Sequence, residues 1–259
     1  MRLGATALLV AAMTGCAAQP QPAAVSVQPV EPGDPLEPVN RKVFAVNQVL
    51  DRIVLKPLAE SYVAIVPNQG RDALRRVLDN MKEPTLFFNN ALQGELARAE
   101  ITLGRFAINT TVGLGGLFDV ASGWDLPRQP TDFGQTLYVW GVPSGPYLVL
   151  PVLGPSNPRD AIGNGVDAYA DPASLLSQID AISEITIARF VADGIDQRAR
   201  VLDDLDQLQK NSLDFYAQLR SVSQQHRAAD LLRGRAAEPG SDFYADPAQA
   251  KPAGVQPKP

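Results

Sequence analysis

Cys16 is the only cysteine of the chain, and its surroundings suit one reaction. It closes Met13-Thr14-Gly15-Cys16 at the end of an apolar stretch, Leu3 to Met13, that a single basic residue, Arg2, precedes. The stretch is too short to cross a bilayer as a permanent helix and reads as a cleavable export signal. A small residue directly before a cysteine is what a bacterial lipoprotein signal peptidase requires: the thiol takes a diacylglycerol and then becomes the new N-terminus. Residues 1–15 are therefore read as a lipoprotein signal peptide and Cys16 as the lipidation site. The competing reading, an ordinary secretory signal, leaves an unpaired thiol in an oxidising compartment. One acyl chain holds a protein only marginally, at about 0.8 kcal/mol per buried CH₂, and a lipoprotein carries several. Ala17 replaces the aspartate that typically retains lipoproteins at the inner membrane, so sorting to the outer membrane of a Gram-negative envelope is expected.

Other chemistry is scarce. His226, the single histidine, follows Val222 by four residues on a helical stripe and reads as a half-buried helix histidine. No H-E-x-x-H, C-x-x-C or G-x-S-x-G occurs, and Ser144 in Gly141-Val-Pro-Ser144-Gly145 is misplaced for a nucleophile elbow. Gly113-Leu-Gly115-Gly116 misses the dinucleotide fingerprint because Phe118 stands at the third glycine, so these glycines read as hinges or close-packing points. Acidic pairs such as Asp203-Asp204 fall on solvated helix faces. No enzyme, cofactor or metal is expected.

Lys and Arg number 23 against 28 Asp and Glu, a formal charge of −5 that becomes about −6 when Arg2 leaves with the signal. Nucleic acid is not an expected partner. Membrane contact must be apolar or anchored rather than electrostatic. Residues 16–33 form a Pro/Ala-rich tether and 236–259 a Pro/Ala-rich tail read as disordered; the 34–235 segment between them, about 200 residues, suits one domain.

The domain opens on Asp34-Pro35-Leu36-Glu37, which predicts a helix capped by Asp34 with Glu37 at its third position. Leu36, Val39, Val43, Val46, Leu50 and Ile53 then recur three or four apart, up to a stop near Lys56-Pro57. This stripe either packs internally, the default, or lies in a membrane interface. A second helix is predicted from Asn68 to Lys82, broken by Pro84. Residues 85–112 read as two helices meeting at Gln93-Gly94. Between Gly113 and Gly165 ten glycines and seven prolines exclude long helices. Short pieces are expected at 132–140 and 159–169, with an extended segment at 147–151 that is not expected to build a sheet. After Asp171-Pro172 helix returns almost to Arg233, as one long helix or a hairpin broken near Asn211. The fold class is mostly α.

Specific strings accumulate in a fixed order. They are Asp34-Pro-Leu-Glu-Pro-Val-Asn40-Arg41 with Phe44 and Asn47, Pro67 with Arg71, Asn80-Met-Lys-Glu-Pro84 and Asn89-Asn-Ala-Leu-Gln-Gly94. Arg105-Phe-Ala-Ile-Asn109-Thr-Thr-Val-Gly113, Gly116-Leu-Phe-Asp119, Asp132-Phe-Gly134, Gly145-Pro-Tyr-Leu-Val-Leu-Pro151 and Gly154-Pro-Ser-Asn-Pro-Arg159-Asp160 follow. Together, over most of residues 34 to 200, they resemble the MlaA/VacJ family of outer-membrane lipoproteins. The Gly, Pro and Asn positions in them read mostly as turn formers.

The resemblance implies a single helical domain, ring-like, with amphipathic helices around a lipid channel. It implies a lipid-anchored, periplasm-facing protein that removes mislocalised phospholipid from the outer leaflet and passes it to a periplasmic carrier (MlaC-like). It also implies contact with a trimeric porin. In that geometry Asn40 and Asn47 bracket a polar edge of the first helix and fix it against the channel. A structural tethering lipoprotein without transport activity is the alternative, and a lipid hydrolase relying on His226 or a carboxylate is a further rival.

Arg189 is the only cation between Ile179 and Ile195, and helical spacing puts it between Ile182 and Ile185. It either pairs with Asp193 one turn on, snorkels, or borders the channel and meets the lipid phosphate with its planar fork. The match of Gly194-Ile-Asp-Gln-Arg198-Ala to the family's following helix supports the channel-side placement.

Overall fold

In a computed structural model the chain is described over residues 34–171 and 180–233. The signal peptide, Cys16, the tether and the tail lie outside these residues. The first helix, α1 (Glu37–Leu50), begins later than the capping pattern predicts. Asp34 instead closes a turn before the helix, its carboxylate accepting the Leu36 N–H at 3.0 Å and its carbonyl the Glu37 N–H at 3.1 Å. That carboxylate is further engaged by the Asn40 amide and the Tyr216 hydroxyl, so it cannot serve as a helix cap. Glu37 pairs with Arg41 at 2.7 Å.

The helical path does not stop at Lys56-Pro57. It widens into a π segment (Asp51–Leu55) in which the Lys56 N–H reaches back to the Asp51 carbonyl, and continues as α2 (Lys56–Ile65). A proline lacks the N–H and crowds the carbonyl four residues back, and the wider π turn accommodates both effects. The expected break at Pro84 is also absent: α3 (Asn68–Leu92) runs through it. An interior proline costs about 3 kcal/mol, less than tertiary packing along a whole helix face supplies. That face, with Leu78, Asn80, Glu83 and Leu86 buried, lies along α4 (Leu96–Thr111). The predicted break at Gln93-Gly94 is present, with Gly94 at φ +80°.

In the Gly/Pro-dense middle only short elements form: a 3₁₀ turn (Ala121–Trp124), α5 (Phe133–Val139) and α6 (Pro158–Ala170). Asp132 caps α5 by accepting the Gln135 N–H, and Asn157 caps α6 by accepting that of Asp160. The extended segment does build a small sheet, a correction to the sequence reading. β1 (Leu148–Leu150) pairs antiparallel with β2 (Gly154–Ser156), Leu148 opposite Ser156. The two glycines Gly134 and Gly163 let α5 and α6 cross backbone to backbone: a Cβ on Gly163 would stand 2.3 Å from the Gly134 nitrogen. Helix then returns as α7 (Asp180–Arg200), α8 (Leu202–Asn211) and α9 (Phe215–Arg233), with the turn between α8 and α9 following Asn211 as expected. α2 packs on α7 and α8, α1 on β1, and α9 on α8 and β2.

A small aromatic core, Tyr147, Val149 and Tyr216 with Val43 and Phe44 against it, joins α1, β1 and α9. Elsewhere the interior is mostly polar, with Ala59, Leu78, Leu86, Ala99 and Ala121 buried beside it. The bulkiest side chains that are wholly buried are Glu83, Asn40, Asn90, Thr102, Thr136 and Asp196.

Candidate functional site

The apolar stripe of α1 faces outward for much of its length, with Val43 packed against the small core. Val43 and Leu50 are half-buried, whereas Val39, Val46 (65% exposed) and Ile53 (67% exposed) face outward. Val49, Val54, Leu58 and Ile65 extend this outer surface along the π segment and α2, and Ala45, Val46, Val49, Leu50, Ile53 and Val54 line a shallow apolar depression of about 500 Å³. Phe88, Leu92, Leu96, Leu103, Trp124, Trp140, Ile162 and Phe190 are exposed on other elements. Exposed apolar area on this scale marks a surface that meets something other than water. Among the described residues no helix is long and apolar enough to cross a membrane.

Inside, polar side chains are joined in three networks, although buried atoms such as Glu83 Oε2 and Asn90 Oδ1 have no hydrogen-bond partner among the described residues. Arg105 is the centre of one network: it donates to Glu83 (3.1 Å), Asp119 (3.2 Å), the Ser122 hydroxyl (3.0 Å) and the Leu126 carbonyl (2.5 Å). Burial pushes the Glu83 carboxyl above its ordinary range despite the Arg105 guanidinium. Burial acts on Asp119 in the same sense, but the Ser122 hydroxyl, the Asn109 amide and Arg105 together outweigh it and hold that carboxyl below the usual value. A second network runs from Gln93 to the Thr131 and Thr136 hydroxyls, from Thr136 to Asn89, and from Asn89 to Asp167, which also accepts the Phe133 N–H. In a third, Arg227 forks onto both Asp132 (2.6 Å) and Asp160 (2.8 Å), tying α9 to the starts of α5 and α6.

Asn40 and Asn47 act together. Asn40, 1% exposed, donates to the Tyr147 carbonyl and accepts the Val149 N–H, both at 3.0 Å. Two helical turns on, Asn47 donates to the Leu150 carbonyl at 2.8 Å and accepts the Val152 N–H at 2.9 Å. Each amide thus imitates a strand partner, and the pair pins the β1 hairpin along α1. Both amides are directed to this backbone.

Arg189 pairs with Asp171, Nη2 to Oδ2 at 2.7 Å, bridging α7 to the end of α6. The local pairing with Asp193 is not made, because Asp193 takes Lys82 of α3 at 2.8 Å. The Ile182 and Ile185 side chains that the helical spacing sets beside Arg189 lie outside the described ones. His226 is half-buried and its Nδ1 stands 3.0 Å from Asp230, in keeping with a structural role. Asp203 and Asp204 are exposed.

The profile of the MlaA lipoprotein family matches residues 32–230, the span of this polar-centred domain. The chain belongs to that family. An uncharacterised protein of Rickettsia felis is 38% identical over 199 residues, 76% of this chain and 78% of that one. The intermembrane phospholipid transport system lipoprotein MlaA of Escherichia coli is 33% identical over 227 residues, 86% of this chain and 85% of that one. A solved chain from work on the structural basis for maintenance of bacterial outer membrane lipid asymmetry aligns with a TM-score of 0.66 at 34% identity, covering 77% of this chain and 99% of that one. The MlaA family strings contain residues that sequence reasoning assigned to turns and the fold uses otherwise. Asn80, Asn89, Asn90 and Asn109 are buried within helices, where their amides donate to Thr110, Asp167, Thr102 and Asp119. The Arg227 fork had no local signal, since its partners lie 95 and 67 residues away.

Proposed function

We propose that this chain is an outer-membrane lipoprotein that moves phospholipid, taking mislocalised lipid from the outer leaflet and passing it to a periplasmic carrier of the MlaC type. Lipid asymmetry is maintained by that removal. One observation carries the reading: among the described residues most of the buried side chains are polar, Asn, Thr, Glu and Arg included, while many large Val, Ile, Leu, Phe and Trp side chains are exposed. Each large aliphatic side chain moved from water into hydrocarbon gains roughly 1.5–3 kcal/mol, so such an exterior favours the acyl region of a membrane. A polar interior is also what a charged head group needs to traverse a low-dielectric layer, because hydration or pairing of the phosphate removes most of the barrier. The bundle then lies in the membrane as a ring about a lipid path. Asn40 and Asn47 shape that path by fixing the β1 hairpin, and Arg189 borders it. A trimeric porin is the partner that would seat the ring.

Protein extracted in a neutral detergent should carry copurifying phospholipid in a one-to-few molar ratio, measured by phosphorus analysis and mass spectrometry. A lipid-free preparation from native membranes would favour a tethering lipoprotein without transport activity. The anchor is tested separately. Cys16→Ala should abolish palmitate incorporation; labelling that persists in this variant would overturn lipidation at Cys16. Membrane retention is the weaker readout, since the apolar exterior provides a second hold.

A further inference from the structure

Where the start of α3 meets the end of α7, a cleft of about 230 Å³ is lined by Asn68, Arg71, Asp72, Arg75, Asp196 and Arg200 together with Ala199. We propose that this cleft binds a phosphate group; the transport reading bears only on whether that phosphate belongs to a lipid head group. Asp196 is the organising residue. It is 1% exposed, accepts from Arg75 Nε and the Tyr62 hydroxyl (both 3.3 Å), and forms an ion pair with Arg200 Nη2 (2.7 Å). One buried carboxylate therefore holds two guanidinium groups in the cleft wall while using only one donor of each. Arg75 Nη1 stands 3.5 Å from Asp72. Arg71, one turn before Arg75 on α3, donates to the Asn68 side-chain oxygen at 2.5 Å.

Three guanidinium groups thus converge on a cavity that holds two carboxylates, a local excess of one positive charge in a chain of net charge −5. A network serving structure alone would need two arginines to match two aspartates. The third, Arg71, has no acidic partner among the described residues and lines the cavity. Guanidinium forks present paired N–H donors at the spacing of phosphate oxygens, and the cation excess selects an anion over a neutral ligand. The α3 dipole, whose positive end lies at Asn68, acts in the same direction. A single excess charge in a small cavity suits one phosphate rather than a polyanion.

The test uses the full lipoprotein in neutral detergent and phosphorus NMR line broadening with two probes, dihexanoylphosphatidylglycerol and inorganic phosphate. Both should bind the wild type. Arg71→Gln, which leaves the Asp196 pairs untouched, should weaken both about tenfold with an unchanged melting curve. Arg200→Lys keeps the charge and the Asp196 contact but loses the fork, and should weaken them severalfold. Tighter binding of the lipid probe identifies a head-group site and equal binding a free-phosphate site, either of which sustains the proposal. Wild-type protein that broadens neither probe, or an Arg71→Gln protein that matches wild type, overturns it. Copurified long-chain phospholipid, quantified in the same samples, reads the transport assignment independently: its presence with a silent cleft removes the cleft alone.

Discussion

Replacing Arg105 with methionine is expected to lower the unfolding free energy by about 3–5 kcal/mol, the cost of stranding a buried charge. Arg105 and Glu83 are 5% and 1% exposed, so water cannot take over when the guanidinium is lost, and Asp119 loses its cation as well. Burial already holds the Glu83 carboxyl above its ordinary range, and without Arg105 it rises further. A carboxyl whose folded value is raised binds more protons folded than unfolded. Stability of the variant should therefore recover as pH falls from that raised value towards the ordinary carboxyl value, worsen as pH rises through the same window, and stay level above it. Adding Glu83→Gln to Arg105→Met should restore part of the loss and remove that recovery. Denaturant melts in neutral detergent at two pH values check both points. An Arg105→Met protein as stable as wild type would show that the polar interior is solvated rather than sealed.

Arg189→Asp is expected to slow clearance of surface phospholipid roughly ten- to hundredfold, equivalent to losing one charge-assisted contact of about 1.5–3 kcal/mol in the passage step. The substitution also sets two carboxylates together, because Asp171 already faces this position at 2.7 Å from Arg189 Nη2. The double variant Arg189→Asp with Asp171→Arg separates the two effects. It restores an α6–α7 pair of opposite charge while moving the cation to the other helix. If Arg189 meets the lipid phosphate, the swap regains stability but not clearance, read as outer-leaflet phospholipid in cells with matched protein levels. Full clearance by the swapped protein would reduce Arg189 to its bridge with Asp171.

Helix positions were legible where the signal is local. The Gly94 break, the short helical pieces near 132–140 and 159–169, and the turn after Asn211 each depend on backbone preferences within a few residues. The misjudged positions were those at which distant packing overrode such preferences. Pro84 and Pro57 are both carried inside continuous helical paths, one on a face packed against α4 and the other through a π turn. Asp34 lost its capping role to Asn40 and Tyr216, the latter 182 residues away. The β1 hairpin was not anticipated because half of its support comes from α1, where Asn40 and Asn47 supply the missing strand partners.

The sequence by itself determined the helical fold class, the family and the shortage of catalytic groups, since periodicity, ordered motifs and residue types are written along the chain. The tertiary structure alone decided which way the apolar stripe faces. A stripe at helical spacing has the same pattern whether it packs on protein or meets lipid, and only the placement of α1 against the β1 hairpin shows Val46 and Ile53 turned outward. It also decided that Asp193 serves Lys82, that Asp171 serves Arg189, and that Asp196 gathers Arg75 and Arg200 beside Arg71. Charge pairing depends on distance through space, and these partners are brought together by helix packing that no local spacing encodes.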